Sequence, residues 1–450
     1  MIASTRFRRL SGFAVAAAIA GACVAVSVAS PASAALGAGG EFFPLTPERI
    51  YDSRPESAVN EPSPGPRPAS PAVPTFDIQL LGQGGLPANA AEVLSVVVNI
   101  TVVQPTGEGW LDAHASGKSP GTSSLINYTP GRTVPNLAVV VPGANGKLTL
   151  RLFATASASA HVVVDVFGWF GTSASPSFGS RLNVIPPGRL LDTDGAGGNF
   201  VGQEARPVQV RGATLANGQV VPAAATAVML NVASDNAYGA SVETFVTVQP
   251  DQPVGLPRTS NLNVYGGQIK ANAVIVPIGA DGRIWLYNHL GSNRLVVDVV
   301  GYFAAGDPAT TKGRVVPLAT PFRLWDTREA AFGAARLGAG QAEDWGFGAF
   351  VNSVQIEGQT GVPQGAVIGN LTVAELQRQY STVPVGYSYM SAWPPDAGGR
   401  PEASVINIPP GAIPTPNMAV LTYSALKTVR FYNFQGQVHY LFDASAVVLD

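Results

Sequence analysis

Internal repetition is the feature that most constrains what this chain can fold into. A hexapeptide that begins at Arg49 (Arg-Ile-Tyr-Asp-Ser-Arg) returns in similar form at Arg189 and Arg323, and we call it the Arg-Asp motif. Four further motifs follow it in the same order in every copy: 96–100, 228–232 and 367–371; 124–127, 260–263 and 404–407; 135–139, 271–275 and 416–420; 162–170, 295–303 and 440–448. Such ordered agreement indicates three tandem copies of one structural unit.

The copies define the predicted domain boundaries. A chain of 450 residues is too long for one hydrophobic core. We predict one domain over 42–170, a second over 181–303 and a divergent third over 314–450, whose closing segment lacks the aromatic ending of the other two. The intervening stretches, 171–180 and 304–312, are rich in Gly, Ser, Pro, Thr and Ala and are typical of linkers.

The motifs predict an all-β fold. They are short runs of β-branched and aliphatic residues separated by turn residues, in a chain with 50 Gly and 37 Pro. The continuous run 96–98 predicts a strand buried on both faces, whereas 148–152 alternates and predicts one wet face. We expect each unit to be an antiparallel β-sandwich, jelly-roll-like in topology. A single pseudo-threefold closed assembly is the alternative, and the length of the units and their linkers argue against it.

The first 34 residues are predicted to be a signal peptide. Arg6, Arg8 and Arg9 precede an apolar stretch, and Ala32-Ser33-Ala34 forms a small-residue cleavage pattern. We therefore expect a secreted, extracellular or envelope-associated protein with no integral membrane segment after processing. Cys23 is the single cysteine, so the mature chain would contain no disulfide. Lipidation at Cys23 stays open.

The ordered motifs resemble a family of tandem repeat domains. Their pattern, P-L-x-P-x-R-[IL]-x-D-[ST]-R, then S-x-[LI]-N, N-x-A-V and V-V-D-V-x-G-[YW]-F, is similar to a repeat domain of secreted proteins from actinobacteria and other soil bacteria. The resemblance covers the chain from Phe42 to its end. It implies an extracellular accessory module with no established ligand, often attached to enzymes that act on cell walls or polymers.

Several functional classes are disfavoured by the composition. Charged residues make up 12% of the chain and the net charge is −2, so the basic footprint of nucleic-acid binding is missing. The four histidines are dispersed singly, without metal-ligand spacing, and no nucleophile elbow or phosphate loop is present. We therefore expect a non-enzyme that requires no cofactor.

The charged residues of the motifs are predicted to be structural. An aspartate inside an apolar strand must be paired or hydrogen-bonded, and its expected partner is the arginine of the Arg-Asp motif or a set of backbone N–H groups. The alternative reading makes these aspartates ligands of a cation or a sugar hydroxyl, and a calcium ion near Asp192 stays open because its loop is rich in oxygen and glycine. The residues concerned are Arg49, Asp52, Arg189, Asp192, Arg323 and Asp326 in the motif, and Asp165, Asp298 and Asp443 in the closing segments.

The repeated asparagines are expected to tie strand ends to loops. They form two sets: Asn99, Asn231 and Asn370; Asn136, Asn272 and Asn417.

Aromatic residues are the sequence's strongest indication of a ligand. Trp110, Trp285 and Trp393 are candidate stacking platforms for sugar rings, although core packing is the alternative for each. The leading hypothesis is a non-catalytic binder of cell-wall or environmental polysaccharide. The alternatives are a structural or adhesive surface protein that binds other proteins, and a glycoside hydrolase with a spatially assembled carboxylate site. Ligand identity and oligomeric state stay open.

Overall fold

The computed structural model describes residues 39–175, 177–194, 197–235, 243–354, 356, 360–377, 387–409 and 414–450. Within them, β-strands dominate and one α-helix, α1 (Gly348–Ser353), occurs. Single-turn 3₁₀-helices lie at Ala90–Glu92 and Ala330–Phe332. The predicted all-β class is confirmed.

Each repeat contributes strands to two antiparallel sheets. Repeat 1 contains β1 (Glu41–Asp52), β2 (Arg67–Ala69), β3 (Thr75–Gln79), β4 (Val93–Val103), β5 (Gly109–Ala115), β6 (Ile126–Tyr128), β7 (Val134–Val140), β8 (Lys147–Ala154) and β9 (Ala158–Gly171). Repeat 2 contains β10 (Arg181–Asp192), β11 (Glu204–Gln209), β12 (Ala227–Asp235), β13 (Thr244–Gln249), β14 (Leu262–Val264), β15 (Ile269–Pro277), β16 (Arg283–Asn288) and β17 (Arg294–Ala304). Repeat 3 contains β18 (Val315–Asp326), β19 (Gln341–Gly346), β20 (Gln364–Gln377), β21 (Ser388–Trp393), β22 (Ile406–Ile408), β23 (Thr415–Thr422), β24 (Thr428–Asn433) and β25 (Gln437–Leu449).

The three repeats share one strand order. Their inner sheets run β1-β9-β4-β7, β10-β17-β12-β15 and β18-β25-β20-β23, with β2 as an extra strand beside β9. Their outer sheets run β3-β8-β5-β6, β11-β16-β13-β14 and β19-β24-β21-β22. Even the irregularities recur, because the first strand of each inner sheet shifts register on both sides of its motif arginine. The repetition read from the sequence is therefore a repetition of topology.

The inner sheets are buried on both faces, which explains the continuous apolar runs. In β4, Val96 and Val98 pack into the core of repeat 1, whereas Leu94 and Val97 on the opposite face join a separate central cluster. In β8 of the outer sheet, Leu148, Leu150 and Leu152 are buried in the repeat's core and Arg151 between them is partly exposed. The difference in sequence pattern thus distinguishes inner from outer strands.

The central cluster joins all three repeats, so the copies close around one shared core. Its members come from repeat 1 (Phe42, Leu94, Val97, Leu137, Val139, Phe167, Phe170), repeat 2 (Leu182, Ala227, Met229, Ala273, Ile275, Phe303) and repeat 3 (Val315, Ala366, Ile368, Met418, Ala446, Val448). The expectation that long units and linkers argue against a closed assembly is wrong. Each unit brings two sheets of its own. The end of the first linker, Ser180, pairs directly with Phe42 of β1.

Backbone and ionic contacts complete this closure near the start of β1. The Phe42 amide donates to the Ser180 carbonyl at 2.6 Å, and Gly40 pairs with Val315 of repeat 3. The Glu41 carboxylate accepts hydrogen bonds from Arg181 of repeat 2 at 3.0 Å and from Arg314 of repeat 3 at 3.2 Å. One segment therefore holds the ends of all three repeats together.

Candidate functional site

The Arg-Asp motif forms the same ionic clamp in each repeat. In repeat 1, Arg49 Nε donates to Asp165 Oδ1 at 2.9 Å and Arg49 Nη1 donates to Asp52 Oδ2 at 3.2 Å, while Arg54 holds Asp52 from its other side at 2.7 Å. Arg49 and Asp165 are cross-strand neighbours on β1 and β9. The motif therefore places its arginine opposite a carboxylate that has no access to solvent.

Repeats 2 and 3 form the same clamp, except that a different arginine contacts the motif aspartate in repeat 2. Arg189 contacts Asp298 at 2.5 Å and Asp192 at 3.1 Å. Arg323 contacts Asp443 at 2.8 Å and Asp326 at 3.1 Å, and Arg328 holds Asp326 at 2.6 Å. In repeat 2, Asp194 stands in place of the second arginine, and Arg294 from β17 supplies the guanidinium, 2.8 Å from Asp192.

The two kinds of aspartate have opposite pKa shifts. Burial raises the pKa of Asp165, Asp298 and Asp443, and the neighbouring arginine opposes that shift. Burial would also raise the pKa of Asp52 and Asp326, but hydrogen bonds and charge from Arg54 and Arg328 outweigh it and lower both values. All of these carboxylates are occupied by protein partners, which leaves them poorly suited to bind an external ligand.

Asp192 is likewise occupied. Its two oxygens accept hydrogen bonds from Arg294 at 2.9 and 2.8 Å, and the pKa of Asp192 is lowered chiefly by that side chain. A guanidinium in this position repels a cation. Among the described residues no cluster of three or more His, Cys, Asp or Glu side chains could hold a metal, and residues 195–196 of the loop lie outside the description.

The repeated asparagines join neighbouring repeats. Asn136, Asn272 and Asn417 also donate to a loop carbonyl of their own copy, at Leu125, Asn261 and Val405 respectively. Asn99 donates to the Ser260 carbonyl of repeat 2 at 2.8 Å. Asn272 of repeat 2 returns a hydrogen bond to the Asn99 side-chain oxygen at 3.1 Å. Ser260 also donates its backbone N–H to Asp165, so the clamp and the amides grip the same segment. Four of the recurring motifs, 96–100, 162–170, 260–263 and 271–275, thus meet at one interface.

The other two interfaces use equivalent residues. At the interface of repeats 2 and 3, Asn231 donates to Ser404 at 2.7 Å and Asn417 donates to Asn231 at 3.0 Å. At the interface of repeats 3 and 1, Asn370 donates to Ser124 at 2.8 Å and Asn136 donates to Asn370 at 2.8 Å. The repeated asparagines therefore link each repeat to its neighbour. Their spacing in the sequence reveals the repetition but not that the partners belong to different copies.

The interface between repeats 1 and 2 contains a large groove. The groove has a volume of about 750 Å³. Glu48, Arg49 and Arg54 contribute to one wall of the groove, and segments 243–245 and 256–260 contribute to the other. Residue order does not predict this groove, because its walls are far apart in the chain.

No family model and no curated protein match this chain. Among solved structures it is similar to a Sulfolobus turreted icosahedral virus (8% identity, 90% of this chain and 99% of that chain, TM-score 0.18). It is also similar to a triple jelly roll structure of an archaeal virus (8% identity, 90% of both chains, TM-score 0.16). A third is the tandem CBM22 domain of Paenibacillus barcinonensis Xyn10C (12% identity, 60% of this chain and 100% of that chain, TM-score 0.15). With TM-scores this low, the function must be argued from the chain's own geometry.

The aromatic side chains of the groove form a stacked pair. The rings of Phe245 and His289 lie 4.5 Å apart at an interplanar angle of 19°. Burial lowers the pKa of His289, so its imidazole is neutral at neutral pH. The groove therefore presents an uncharged ring stack beside hydrogen-bonding side chains such as Gln104, Thr133 and Asn263.

The three predicted tryptophans are not brought together. Trp110 stacks on Phe153 in the outer sheet of repeat 1, with ring centroids 5.4 Å apart, and Trp285 lies partly exposed in the outer sheet of repeat 2. Trp393 is 8% exposed, so its side chain cannot act as an open sugar platform and that candidate is wrong. None of the three belongs to the large groove.

Two targeting predictions fall outside the described residues. The signal peptide over 1–34 and Cys23 both precede residue 39, where the description begins. Among the helices that the structure describes, none has the length and apolar character to cross a bilayer.

Proposed function

We propose that this protein is an exported, non-catalytic binder of cell-envelope or environmental polysaccharide, with the groove between repeats 1 and 2 as its binding site. The groove itself is the observation that carries this proposal. Its 750 Å³ would accommodate several sugar residues, and it is bordered by the inner sheet of repeat 1 and the outer sheet of repeat 2.

The lining of the groove suits a carbohydrate. Sugar rings combine apolar C–H faces with many hydroxyl groups, so they are recognised by aromatic faces next to hydrogen-bonding side chains. The Phe245–His289 stack supplies the first. Glu48 and Arg258, both exposed on the groove walls, supply the second. Gln104 and Asn263 add neutral polar groups.

We infer a sandwich for each repeat, since its two sheets enclose one apolar cluster of their own. We describe this unit as jelly-roll-like. In this unit the repeated charged residues pair with one another and so have a structural role. This supports a binding function over a catalytic one.

The test is retention on insoluble polysaccharides: peptidoglycan, chitin and cellulose. The variants F245A and R258A remove the aromatic stack and an exposed groove cation. R283A is the matched control, because Arg283 is an exposed arginine of repeat 2 that lies outside the groove. We expect the native chain and R283A to be retained on at least one polymer, and the groove variants to be released. Retention of none, or equal retention of all variants, would refute the proposal.

The same assay addresses the hydrolase alternative. Glu48 and Glu243 both line the groove, and paired carboxylates are what glycoside hydrolysis requires. Release of reducing sugar from the retained polymer, lost in E48Q and E243Q, would replace binding by hydrolysis.

A protein-binding role is the second candidate, and exposed apolar side chains at the groove's edge favour it. Leu256 is 61% exposed and lines the groove, and Val254 beside it is fully exposed. Single exposed aliphatic residues are common, but two on one loop tip resemble a contact surface. Partner capture that is abolished by V254S/L256S and indifferent to free sugars would support this role.

A further inference from the structure

A small pocket adjoins the groove where the three inner sheets meet. It encloses about 50 Å³ and shares Thr133 with the groove as a lining residue. Repeat 1 contributes Arg132, repeat 2 contributes Tyr265 and Lys270, and repeat 3 contributes Thr415. Because β7, β15 and β23 all begin here, the pocket lies at one end of the shared central core.

The pocket is positively charged. Arg132 and Lys270 both line it, and no acidic side chain is among its described lining residues. The Arg132 guanidinium lies 4.1 Å from the centre of the Tyr265 ring. The Tyr265 hydroxyl donates to the Gly131 carbonyl at 2.6 Å and accepts from the Thr133 backbone N–H at 3.0 Å, which fixes the ring beneath the guanidinium. The Arg132 guanidinium is thus held over the ring, and no ion pair is found for it among the described residues. The Glu243 carboxylate interacts with the Tyr265 hydroxyl.

Lys270 is the unusual member. It is partly buried, and within the described part of the chain no hydrogen bond or salt bridge is found for its ammonium group. Burial lowers the pKa of Lys270 to about 8, and the charge of Glu243 opposes that shift. A desolvated ammonium group without an acceptor is costly. An anion entering the pocket would supply the missing acceptor, with Arg132 beside it.

We propose that this pocket binds an oxyanion (a phosphate, sulfate or carboxylate group) between Lys270 and Arg132. Since the pocket opens beside the groove, we further infer that the polymer bound there carries such groups, an inference that rests on the proposed function. An acidic wall polysaccharide would place its sugar rings in the groove and one anionic substituent in the pocket.

The first experiment measures the anion site without any polymer. The full chain is pulse-labelled with an amine-reactive reagent at pH 7.5, with inorganic sulfate or phosphate or with chloride at equal ionic strength, and each lysine is quantified by mass spectrometry. A bound oxyanion stabilises the ammonium form, and a pKa increase of about one unit lowers the reactive amine fraction about tenfold. We expect sulfate or phosphate to slow the labelling of Lys270 by about this factor and to leave the labelling of the exposed Lys118 unchanged. Equal labelling of Lys270 in sulfate and chloride would overturn the site.

The second experiment compares polymers and separates the two proposals. Retention of the native chain, K270M and R132Q is measured on a polyuronate, on a phosphate-containing wall polymer and on a neutral glucan. We expect K270M and R132Q to show reduced retention on the two anionic polymers. Thermal melting checks that both variants are folded. Sulfate protection with no polymer retention would refute the proposed function and leave the anion site standing. Polymer retention that is unchanged in both variants, without sulfate protection, would refute the anion site and leave the proposed function standing.

Discussion

Removing the clamp arginine of repeat 1 should destabilise the whole chain, and the size of the effect follows from burial. In R49M, Asp165 loses two hydrogen bonds, at 2.9 and 3.3 Å, and its carboxylate is 0% exposed. Breaking a buried ion pair costs about 3–5 kcal/mol. Arg49 is 15% exposed and Asp165 keeps the backbone N–H of Ser260, so we expect the lower end, about 3 kcal/mol.

The dependence on pH gives a second, independent signature. Burial already raises the pKa of Asp165 above its unfolded value, and loss of Arg49 raises it further. A group whose folded pKa is raised is most destabilising at pH values above that pKa, where the folded state must hold the charge. The deficit of R49M should therefore be largest at pH 7 and should shrink as the pH falls and the carboxyl group is protonated.

The assay is urea unfolding followed by circular dichroism at several pH values, with two control variants. R283M removes the exposed Arg283–Asp281 pair, whose groups are 3.9 Å apart, and should cost less than about 0.5 kcal/mol. The double variant R49M/D165N removes the orphaned charge and should be more stable than R49M alone. A cost for R49M no greater than that for R283M, or a deficit that grows in acid, would refute the reasoning.

Three further outcomes are expected. In urea unfolding, N417A should lower the free energy of unfolding by about 3 kcal/mol, and N272A should lower it by about 1 kcal/mol less. The reason is that the Asn417 oxygen accepts a hydrogen bond from Ala273 N–H at 2.9 Å, whereas the Asn272 oxygen has no partner among the described groups. Equal losses for the two variants would contradict this. Calcium or EDTA should leave Tm unchanged, since Arg294 occupies Asp192, and a calcium-dependent rise in Tm would show otherwise. A chain lacking 314–450 should give no cooperative melting transition by circular dichroism, because the central core would lose one of its three walls; a sharp transition would disprove that.

The sequence predicts those parts of the fold that are written in local patterns. The continuous run 96–98 and the alternating run 148–152 identify an inner and an outer strand, because burial on two faces or one leaves a direct record in residue order. The Arg-Asp motif likewise indicates the partners of Asp165 and its equivalents, since an aspartate in an apolar strand requires a cation.

The assembly of the repeats and the groove depend on contacts between copies, which residue order does not record. Asn99 and Asn136 each have a counterpart in the other two copies. Nothing in the spacing of these asparagines shows whether their partners lie in the same repeat or in the next. The burial of Trp393, which is 8% exposed, is likewise not recorded in residue order. The groove arises where segment 256–260 approaches β1, and such a meeting is visible only in three dimensions.

Joining three copies in one polypeptide has an evolutionary consequence that the groove makes concrete. A homotrimer of identical subunits must repeat every surface feature three times, so a mutation that opens one cleft opens all three and weakens every contact at once. In a fused chain each interface can accumulate changes independently. Glu48 of repeat 1 and Arg258 of repeat 2, which line the groove, can therefore be exchanged without any change at the two interfaces of repeat 3.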